Sequence, residues 1–265
     1  MASRLRRRRL ARLGQEIGLP VLVLVVVFAL WEAAVVFFKI PVYLLPAPSA
    51  IWTETIQIGG TVASHTLATL NTVMLGFLAS VVISLPLAVL LTSSRAMANA
   101  LYPLLVLTQS IPKVALAPLL VVVLGANELP RVVVTFLVAF FPLVLSTAAG
   151  LIAVPPELIE LGKACKASRL QELLRIRMPY AIPFIFSGLK AAIALSVVGA
   201  VVAEFVNADR GLGYFIITAT AFFKVPAAWG ALIILSLMGI VLFQAVVMIE
   251  RILFPWAAGD DKPTL

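Results

Sequence analysis

The chain has 265 residues, of which 62% are hydrophobic and 12% are charged. Water-soluble domains average about 45–50% apolar and about 25% charged residues, so this composition excludes a soluble globular protein. The single cysteine, Cys165, excludes an intrachain disulfide, and with the single histidine, His65, it is too little for a metal cluster. We therefore predict an all-α, polytopic membrane bundle without metal or cofactor.

The N-terminal region combines a basic tract with a long apolar run. The formal net charge is +8, and six arginines crowd the first twelve residues. A basic tract can bind nucleic acid, but one that precedes an apolar segment is typical of a cytoplasmic anchor. The apolar run 17–40 exceeds the usual signal-peptide core of about 7–15 residues, so we expect it to be retained as the first span.

The predicted domain organisation follows from these features. We interpret residues 1–16 as a basic cytoplasmic segment, residues 17–255 as the transmembrane domain and residues 256–265 as a cytoplasmic tail. A membrane span needs about 20 mainly apolar residues, which predicts about six transmembrane helices. The six windows are residues 17–40, 66–91, 101–124, 131–153, 182–206 and 228–254.

The distribution of lysine and arginine predicts the orientation of the chain. With the N-terminus inside, fourteen basic residues lie on the inner side, four on the outer side and two, Lys113 and Lys190, within spans. Cytoplasmic loops of membrane proteins carry the excess of basic residues. We therefore expect both termini and the charged loop 155–179 to lie in the cytoplasm.

The fifth predicted span carries a stripe of small residues that ends in a carboxylate. Gly188, Ala192, Ser196, Ala200 and Glu204 recur every four residues and share one face of a helix. Small side chains let a second helix approach closely, and a charge facing lipid at mid-bilayer costs about 2.5–3.5 kcal/mol. We expect Glu204 to face protein or water near the outer mouth.

Candidates for a translocation pathway come from the third and fifth spans. Gln109 and Ser110 precede Pro112 and either line a pathway or cap a broken helix, and Ser196 and Glu204 are the polar members of the stripe. Lys190 lies about 21 Å from Glu204 along a helix. It is either a snorkelling lysine or a pathway residue.

The loop 155–179 has apolar and polar residues that alternate at helical spacing, so its apolar face needs either the membrane surface or a soluble partner. Glu160, Ile176 and Pro179 stand in it at a spacing that resembles the "EAA" loop of binding-protein-dependent ABC importer permeases. The family pattern is Glu-Ala-Ala, three residues, Gly, nine residues and Ile-x-Leu-Pro. The matching residues are Glu160, Ile176 and Pro179, with Leu161 and Gly162 at the two alanine positions, Lys166 at the glycine and Met178 at the leucine. A lysine at the glycine position leaves the sharpness of the turn open.

Shorter motifs in the same order are similar to the nitrate, taurine and alkanesulfonate branch of that family. They are Leu45-Pro-x-Pro48, Thr69-Leu with Gly76-Phe77, Ala117-Pro-Leu119, Gly125 to Arg131, Phe141-Pro142, Gly188-Leu-Lys190, Glu204 and Gly211-Leu-Gly213. The resemblance covers residues 40–255. It implies a type I ABC importer permease fold and a small anion such as nitrate, a sulfonate or taurine as the solute.

The resemblance also implies partners. Two permease copies, often a homodimer, form the pore, a cytoplasmic ATPase subunit grips the loop, and an extracytoplasmic binding protein delivers solute. The chain is expected to be no enzyme and to bind no ATP, and it lacks the phosphate-loop motif. The ATPase-coupling residues implied are Glu160, Leu161, Gly162, Cys165, Lys166, Ala167, Ser168, Ile176 and Pro179.

Three alternatives stay open at this point. The same importer class also serves pyrimidine vitamin precursors and aromatic acids. A secondary transporter or channel that needs no ATPase has the same span statistics, but it has no use for an amphipathic cytoplasmic loop. A membrane-embedded enzyme is disfavoured because it needs histidine or paired carboxylates in the spans, and Glu204 and the boundary residue Glu250 are too few.

Overall fold

The computed structural model describes residues 18–257, without the side chains of eight residues between 95 and 108. In this part of the chain the regular structure is helical and contains no strand, which confirms the predicted all-α fold. The basic segment 1–16 lies outside the described residues, as do residues 258–265 of the tail. The helices are α1 (Leu19–Phe37), α2 (Pro48–Gln57), α3 (Gly59–Ser93), α4 (Arg95–Ser110), α5 (Ala117–Leu124), α6 (Leu129–Ile152), α7 (Pro156–Ala164), α8 (Arg169–Glu172), α9 (Met178–Val206), α10 (Leu212–Ala221) and α11 (Val225–Leu253).

Five helical segments of the described chain are long and apolar enough to cross a membrane. They are Leu19–Phe37, Gly59–Ser93, Leu129–Ile152, Arg169–Val206 and Val225–Leu253. Their windows coincide with five of the six predicted spans. The fourth of these segments joins α8 and α9 through a π turn at Leu173–Arg177.

The predicted third span, residues 101–124, is broken rather than continuous. α4 ends at Ser110, residues 111 and 112 are extended, and a 3₁₀ turn at Lys113–Leu116 leads into α5. Pro112 explains the break, because its ring lacks an N–H and clashes with the preceding turn of a helix. Pro118 is tolerated in the first turn of α5, where no amide donor is needed.

The described chain divides into two compact units. Unit 1 contains the chain up to Gly60 together with Ile216–Ala231, and unit 2 contains Thr61–Phe215 and the chain from Leu232 onward. In unit 2 we call the end that carries residues 153–178 the loop end, and the end that carries the start of α6 the distal end. Ser93 and Lys163 line one pocket at the loop end, whereas Ala117 packs against Val134 and Ala203 distally. The broken segment therefore traverses unit 2.

Unit 1 is organised around a carboxylate in its first helix. The Ser49 amide and hydroxyl donate to Glu32 at 3.1 and 2.7 Å, so Glu32 caps the start of α2. Trp31 packs against Trp229 with ring centroids 5.4 Å apart. The sequence signal for this partner is the carboxylate itself, which stands inside the apolar window of residues 17–40.

The core of unit 2 is the seam between α6 and α9. A side chain at Gly188 would come within 2.9 Å of the Ser146 Cβ, and one at Gly199 within 3.1 Å of the Thr135 Cα. On the α6 side, a side chain at Gly150 would meet the Phe184 Cβ at 2.7 Å. The predicted stripe from Gly188 to Glu204 is buried along its whole length, which confirms that it faces protein. Small residues from both helices thus bring the two backbones together.

At the distal end, three consecutive amides that start α10 are each bound by a buried or half-buried side chain. They are Gly211 N–H to His65 Nδ1 (3.0 Å), Leu212 N–H to Thr69 Oγ1 (2.7 Å) and Gly213 N–H to Glu204 Oε2 (2.8 Å). Thr69 Oγ1 also donates to Glu204 Oε2 at 3.0 Å. The first amides of a helix have no partner within it, so side chains from α3 and α9 cap α10 here.

This arrangement requires glycine at its centre. Gly211 has a φ of +122°, and a side chain there would collide with the Glu204 carboxyl group. A side chain at Gly213 would approach the Val201 carbonyl oxygen within 2.7 Å. Both glycines of the Gly-Leu-Gly motif are therefore needed because Glu204 and the α9 backbone leave no room for a side chain.

A second polar tie joins α9 to α11. Lys190 Nζ lies 2.6 Å from Glu250 Oε2, and the Glu250 side chain is buried. A carboxylate in an apolar helix is tolerated when an ammonium group neutralises it. In this structure the Lys190 charge is therefore paired with Glu250, and its side chain is 23% exposed.

The capping of α10 makes a specific prediction for Thr69. Replacing Thr69 by Val keeps its shape but leaves the buried Leu212 amide without an acceptor, which costs about 1–3 kcal/mol. Amide hydrogen exchange at Gly211–Gly213 should accelerate by roughly tenfold or more. The control is Thr69→Ser, which retains the hydroxyl group and should exchange close to the native rate. Equal exchange in the Val and Ser variants would contradict the assigned role.

Candidate functional site

The charged loop folds as a short helix that ends in a defined turn. α7 spans nine residues and begins with Pro156, a position where the missing amide is harmless. At its end, the Ala167 amide donates to the Gly162 carbonyl at 3.0 Å and the Lys166 amide to the Lys163 carbonyl at 2.9 Å. These two bonds form a Schellman motif, which terminates α7.

Lys166 supplies the left-handed residue of that turn. Its φ is +55°, a conformation in which glycine is the usual residue. In the family pattern a glycine stands at this position. The turn is therefore made here by lysine, and the question that the sequence left open is answered: the helix ends sharply despite the substitution.

The chain then re-enters a helix at Ser168. The Ser168 hydroxyl accepts a bond from the Gln171 amide at 3.3 Å, and the Gln171 side chain accepts one from the Ser168 amide at 2.8 Å. This reciprocal pair is a capping box, which fixes the start of α8. From Arg169 the helix continues through the π turn into α9 and ends at Val206.

Arg177 pairs with Glu172 and ties the π turn to the end of α6. Arg177 Nε and Nη2 contact Glu172 Oε1 at 2.7 and 2.6 Å, and Arg177 Nη1 donates to the Leu151 carbonyl at 3.3 Å. The charge count predicts only that Arg177 lies on the inner side. Its spacing of five residues from Glu172 is the signal of a helical side-chain pair that the π turn brings together.

The predicted coupling residues are mostly on the surface of this element. Glu160, Leu161, Cys165, Lys166, Ser168 and Pro179 are exposed, Ala167 and Ile176 are half-buried, and Gly162 is buried. A side chain at Gly162 would come within 2.7 Å of Ile176 Cδ1, so Gly162 is the point where α7 rests on the π turn. Glu160 and Leu161 precede it on the helix, and Leu161 is 60% exposed.

An apolar groove of about 600 Å³ lies beside α7. Leu161, Ile176 and Pro179 of the predicted set line it, together with Tyr180, Phe184 and Trp256. Three positions of the resembled motif thus share one surface. Exposed apolar side chains that converge on a groove are typical of an interaction site.

The predicted pathway residues lie in two different environments. Gln109 and Ser110 are exposed at the end of α4. Ser196 is fully buried and donates to the Ala192 carbonyl of its own helix at 2.8 Å, and Glu204 is buried in the cap of α10. The structure therefore does not bring these four residues together on one open surface.

Arg131 is a distal residue that sequence analysis counted only as an outer charge. It is buried, and its Nη1 atom donates to the Arg210 carbonyl at 3.3 Å and lies 3.9 Å from the Asp209 carboxylate. Glu128, one turn earlier on the chain, lies 3.8 Å from Nη2. The sequence signal that Arg131 forms an ion pair is the acidic residue Glu128, three positions earlier. Arg131 thus holds the loop before α10 against the start of α6.

Comparison with known proteins places this architecture in a family. The family described as "Binding-protein-dependent transport system inner membrane component" matches residues 80–257. The chain is 35% identical to the formylaminopyrimidine transport permease protein ThiX of Halalkalibacterium halodurans, over 89% of this chain and 95% of that protein. It is 37% identical to the riboflavin transport system permease protein RibX of Chloroflexus aurantiacus, over 92% and 91%.

More distant similarities are found in sequence and in structure. The taurine transport system permease protein TauC of Escherichia coli is 26% identical, over 92% of this chain and 91% of its own length. A solved structure of the MetNI methionine ABC transporter in an inward-facing conformation superposes with a TM-score of 0.66 at 20% identity, covering 74% of this chain and 97% of that one. The chain belongs to the binding-protein-dependent inner-membrane components, the non-catalytic, multi-pass permease subunits of ABC importers, whose ATPase is a separate subunit.

Proposed function

We propose that residues 155–179 receive the motion of the ATPase subunit and pass it to the spans. The observation that carries this proposal is the exposed face of α7. Glu160 and Leu161 lie on the surface, and within residues 18–257 the Glu160 carboxylate forms no hydrogen bond or ion pair. A charged and an apolar side chain side by side, without partners of their own, suit a docking surface.

We call residues 155–179 the lever. The lever is continuous with a membrane helix. The run from Arg169 to Val206 has 38 residues, or about 57 Å at 1.5 Å per residue. A hydrocarbon core is about 30 Å thick, so this rod extends well beyond it. The capping box at Ser168 and the Schellman turn at Lys166 leave little slack between α7 and the rod. A displacement of α7 is thus transmitted rather than absorbed.

The Arg177–Glu172 pair gives the lever its second attachment. Because Arg177 also binds the Leu151 carbonyl at 3.3 Å, the π turn is held to the end of α6. The α6–α9 seam then carries the motion along two helices rather than one. This supports a rigid-body movement of both helices when α7 is displaced.

Within the proposed docking surface, different residues have different roles. Leu161 and Cys165 supply apolar contact, and Ile176 and Pro179 form the wall of the adjoining groove. Glu160, with Lys166, orients the partner through complementary charge, because rim charges mainly steer while buried apolar contacts hold. Gly162, Ala167 and Ser168 shape the turn that presents these side chains.

We further propose the arrangement of the chain in the inner membrane. The excess of lysine and arginine at the termini and in the loop supports cytoplasmic termini and a cytoplasmic α7. Two permease copies, as a homodimer, would then enclose the pore, with the binding protein on the opposite side. α1 and α11 keep most of their apolar side chains exposed within one chain, which leaves those faces for lipid or for the second copy.

For the solute path, we propose different roles for the two sets of pathway candidates. Gln109 and Ser110 are exposed beside the break at Pro112, where the proline interrupts the helix. Ser196 and Glu204 contact solute only in a state in which the helices around α9 have separated. Their burial supports a closed path in the present conformation.

We propose a heterocyclic vitamin or vitamin precursor as the solute class. The relatives at 35% and 37% identity carry the names of formylaminopyrimidine and riboflavin transport permeases. A small anion such as nitrate, taurine or a sulfonate is the second candidate. It is supported by the nitrate import permease protein NrtB of Synechocystis at 31% identity and by TauC at 26%.

Charge reversal at Glu160 tests the proposed coupling. Glu160→Arg should reduce solute uptake at least tenfold and weaken co-purification of the ATPase subunit, because the docking surface then repels its partner. Glu157→Arg is the matched control: the same reversal one turn earlier on α7, outside the motif, should retain uptake. Native uptake by Glu160→Arg with intact ATPase binding would contradict the proposal.

Substitutions at Lys166 test how much its left-handed conformation destabilises the turn that ends α7. Lys166→Gly relieves a left-handed lysine and should stabilise the end of α7 by about 1 kcal/mol. Amide exchange at Lys166 and Ala167 should slow about fivefold. Lys166→Ala removes the same charge but keeps the Cβ, so it should bring no gain. If the Gly and Ala variants exchange alike, the left-handed conformation is not what limits this turn.

The small molecule bound to the partner binding protein tests the proposed solute class. Purification of the assembled importer with its binding protein, followed by mass spectrometry of the bound small molecule, should identify a pyrimidine- or flavin-like heterocycle. The binding protein should then bind that compound and reject nitrate and taurine in calorimetry. A bound sulfonate, taurine or nitrate would overturn the heterocycle assignment and favour the second candidate.

A further inference from the structure

A second surface of the loop element is left over after the coupling surface has been assigned. A pocket of about 450 Å³ lies between the last turns of α3 and the α7–α8 region. Val89, Thr92 and Ser93 contribute its α3 wall, and Lys163 and Arg169 face them from the other side. On α7, Lys163 lies one turn after Ile159, and both stand on a different flank from Leu161.

The charge of this pocket is not balanced. Its third cation, Arg177, is neutralised by Glu172 at 2.6 Å. Lys163 and Arg169, in contrast, make no ion pair within the part of the chain that the structure describes. Two uncompensated positive charges therefore line one pocket, and they call for an anionic occupant.

The position of the pocket along the membrane spans indicates where that anion comes from. The apolar run of α3 ends at Leu91, and the helix ends at Ser93, so the pocket lies where a membrane span meets water. Leu170, another lining residue, is 63% exposed, and Leu174 beside it is 57% exposed. Apolar side chains exposed next to basic ones at the end of a span are typical of the membrane interface.

We propose that the pocket formed by Lys163, Arg169 and the end of α3 binds the headgroup of an anionic phospholipid. The phosphodiester lies between the two cations, and the apolar walls at Val89, Leu170 and Leu173 contact the start of the acyl chains. Such a lipid fills the space between α3 and the lever. α7 thus has two partners on separate flanks, a protein on the Leu161 side and a lipid on the Lys163 side.

The proposal is tested with the full chain, without its ATPase subunit, in nanodiscs of mixed phosphatidylcholine and phosphatidylglycerol. Native mass spectrometry after extraction should find phosphatidylglycerol retained in preference to phosphatidylcholine. Lys163→Gln with Arg169→Gln should reduce this preference about thirtyfold, since each basic residue at an anionic surface contributes about fivefold. The charge-preserving exchange Lys163→Arg with Arg169→Lys should keep it.

Two controls separate lipid binding in this pocket from a general effect of losing a positive charge and from binding of free phosphate. Arg175→Gln removes a nearby cation that lines the other groove and should leave lipid retention unchanged. Free inorganic phosphate should fail to displace the lipid. The proposal is overturned if phosphate displaces the lipid or if the double Gln variant retains phosphatidylglycerol like the native chain.

Discussion

The close approach of α6 and α9 is the constraint on which unit 2 depends. In lipid, apolar side chains gain nothing by leaving one hydrocarbon surface for another, so helices associate through close contact and polar bonds. Gly150, Gly188 and Gly199 create the close contact: a side chain at Gly150 or Gly188 would clash with the facing helix, and one at Gly199 would come within 3.1 Å of the Thr135 Cα. Polar bonds lie at both ends of α9: Glu204 binds Thr69 of α3 and the Gly213 amide distally, and Arg177 binds the end of α6 at the loop end. The contacts along the seam support the proposed rigid-body movement of α6 and α9.

Much of this architecture was predictable because membranes impose simple rules. Length and hydropathy located the spans, and the four-residue recurrence from Gly188 to Glu204 identified the buried face of α9. The break at residues 111 and 112 was harder, because hydropathy averages over a window and does not register a single missing donor at Pro112. The sequence offered a capped, broken helix as one of two interpretations of Gln109 and Ser110, without a means to choose between them.

The candidate site was only partly predictable, because its order depends on bonds between distant residues. The motif spacing located Glu160, Ile176 and Pro179, but it could not say that Lys166 adopts a left-handed conformation. The bonds from the Gly211 and Leu212 amides to His65 and Thr69 join residues 146 and 143 positions apart, and the Thr69–Glu204 bond that completes the cap joins residues 135 apart. Glu204 was expected to face protein or water; its carboxylate serves a helix start, a role that periodicity alone does not reveal.

The Lys190–Glu250 contact bears on how the chain is made. α9 is synthesised before α11, so the Lys190 ammonium group enters the membrane before its counter-charge, Glu250, has been made. Neutralisation of this pair therefore favours docking of α11 against α9 once both helices are present.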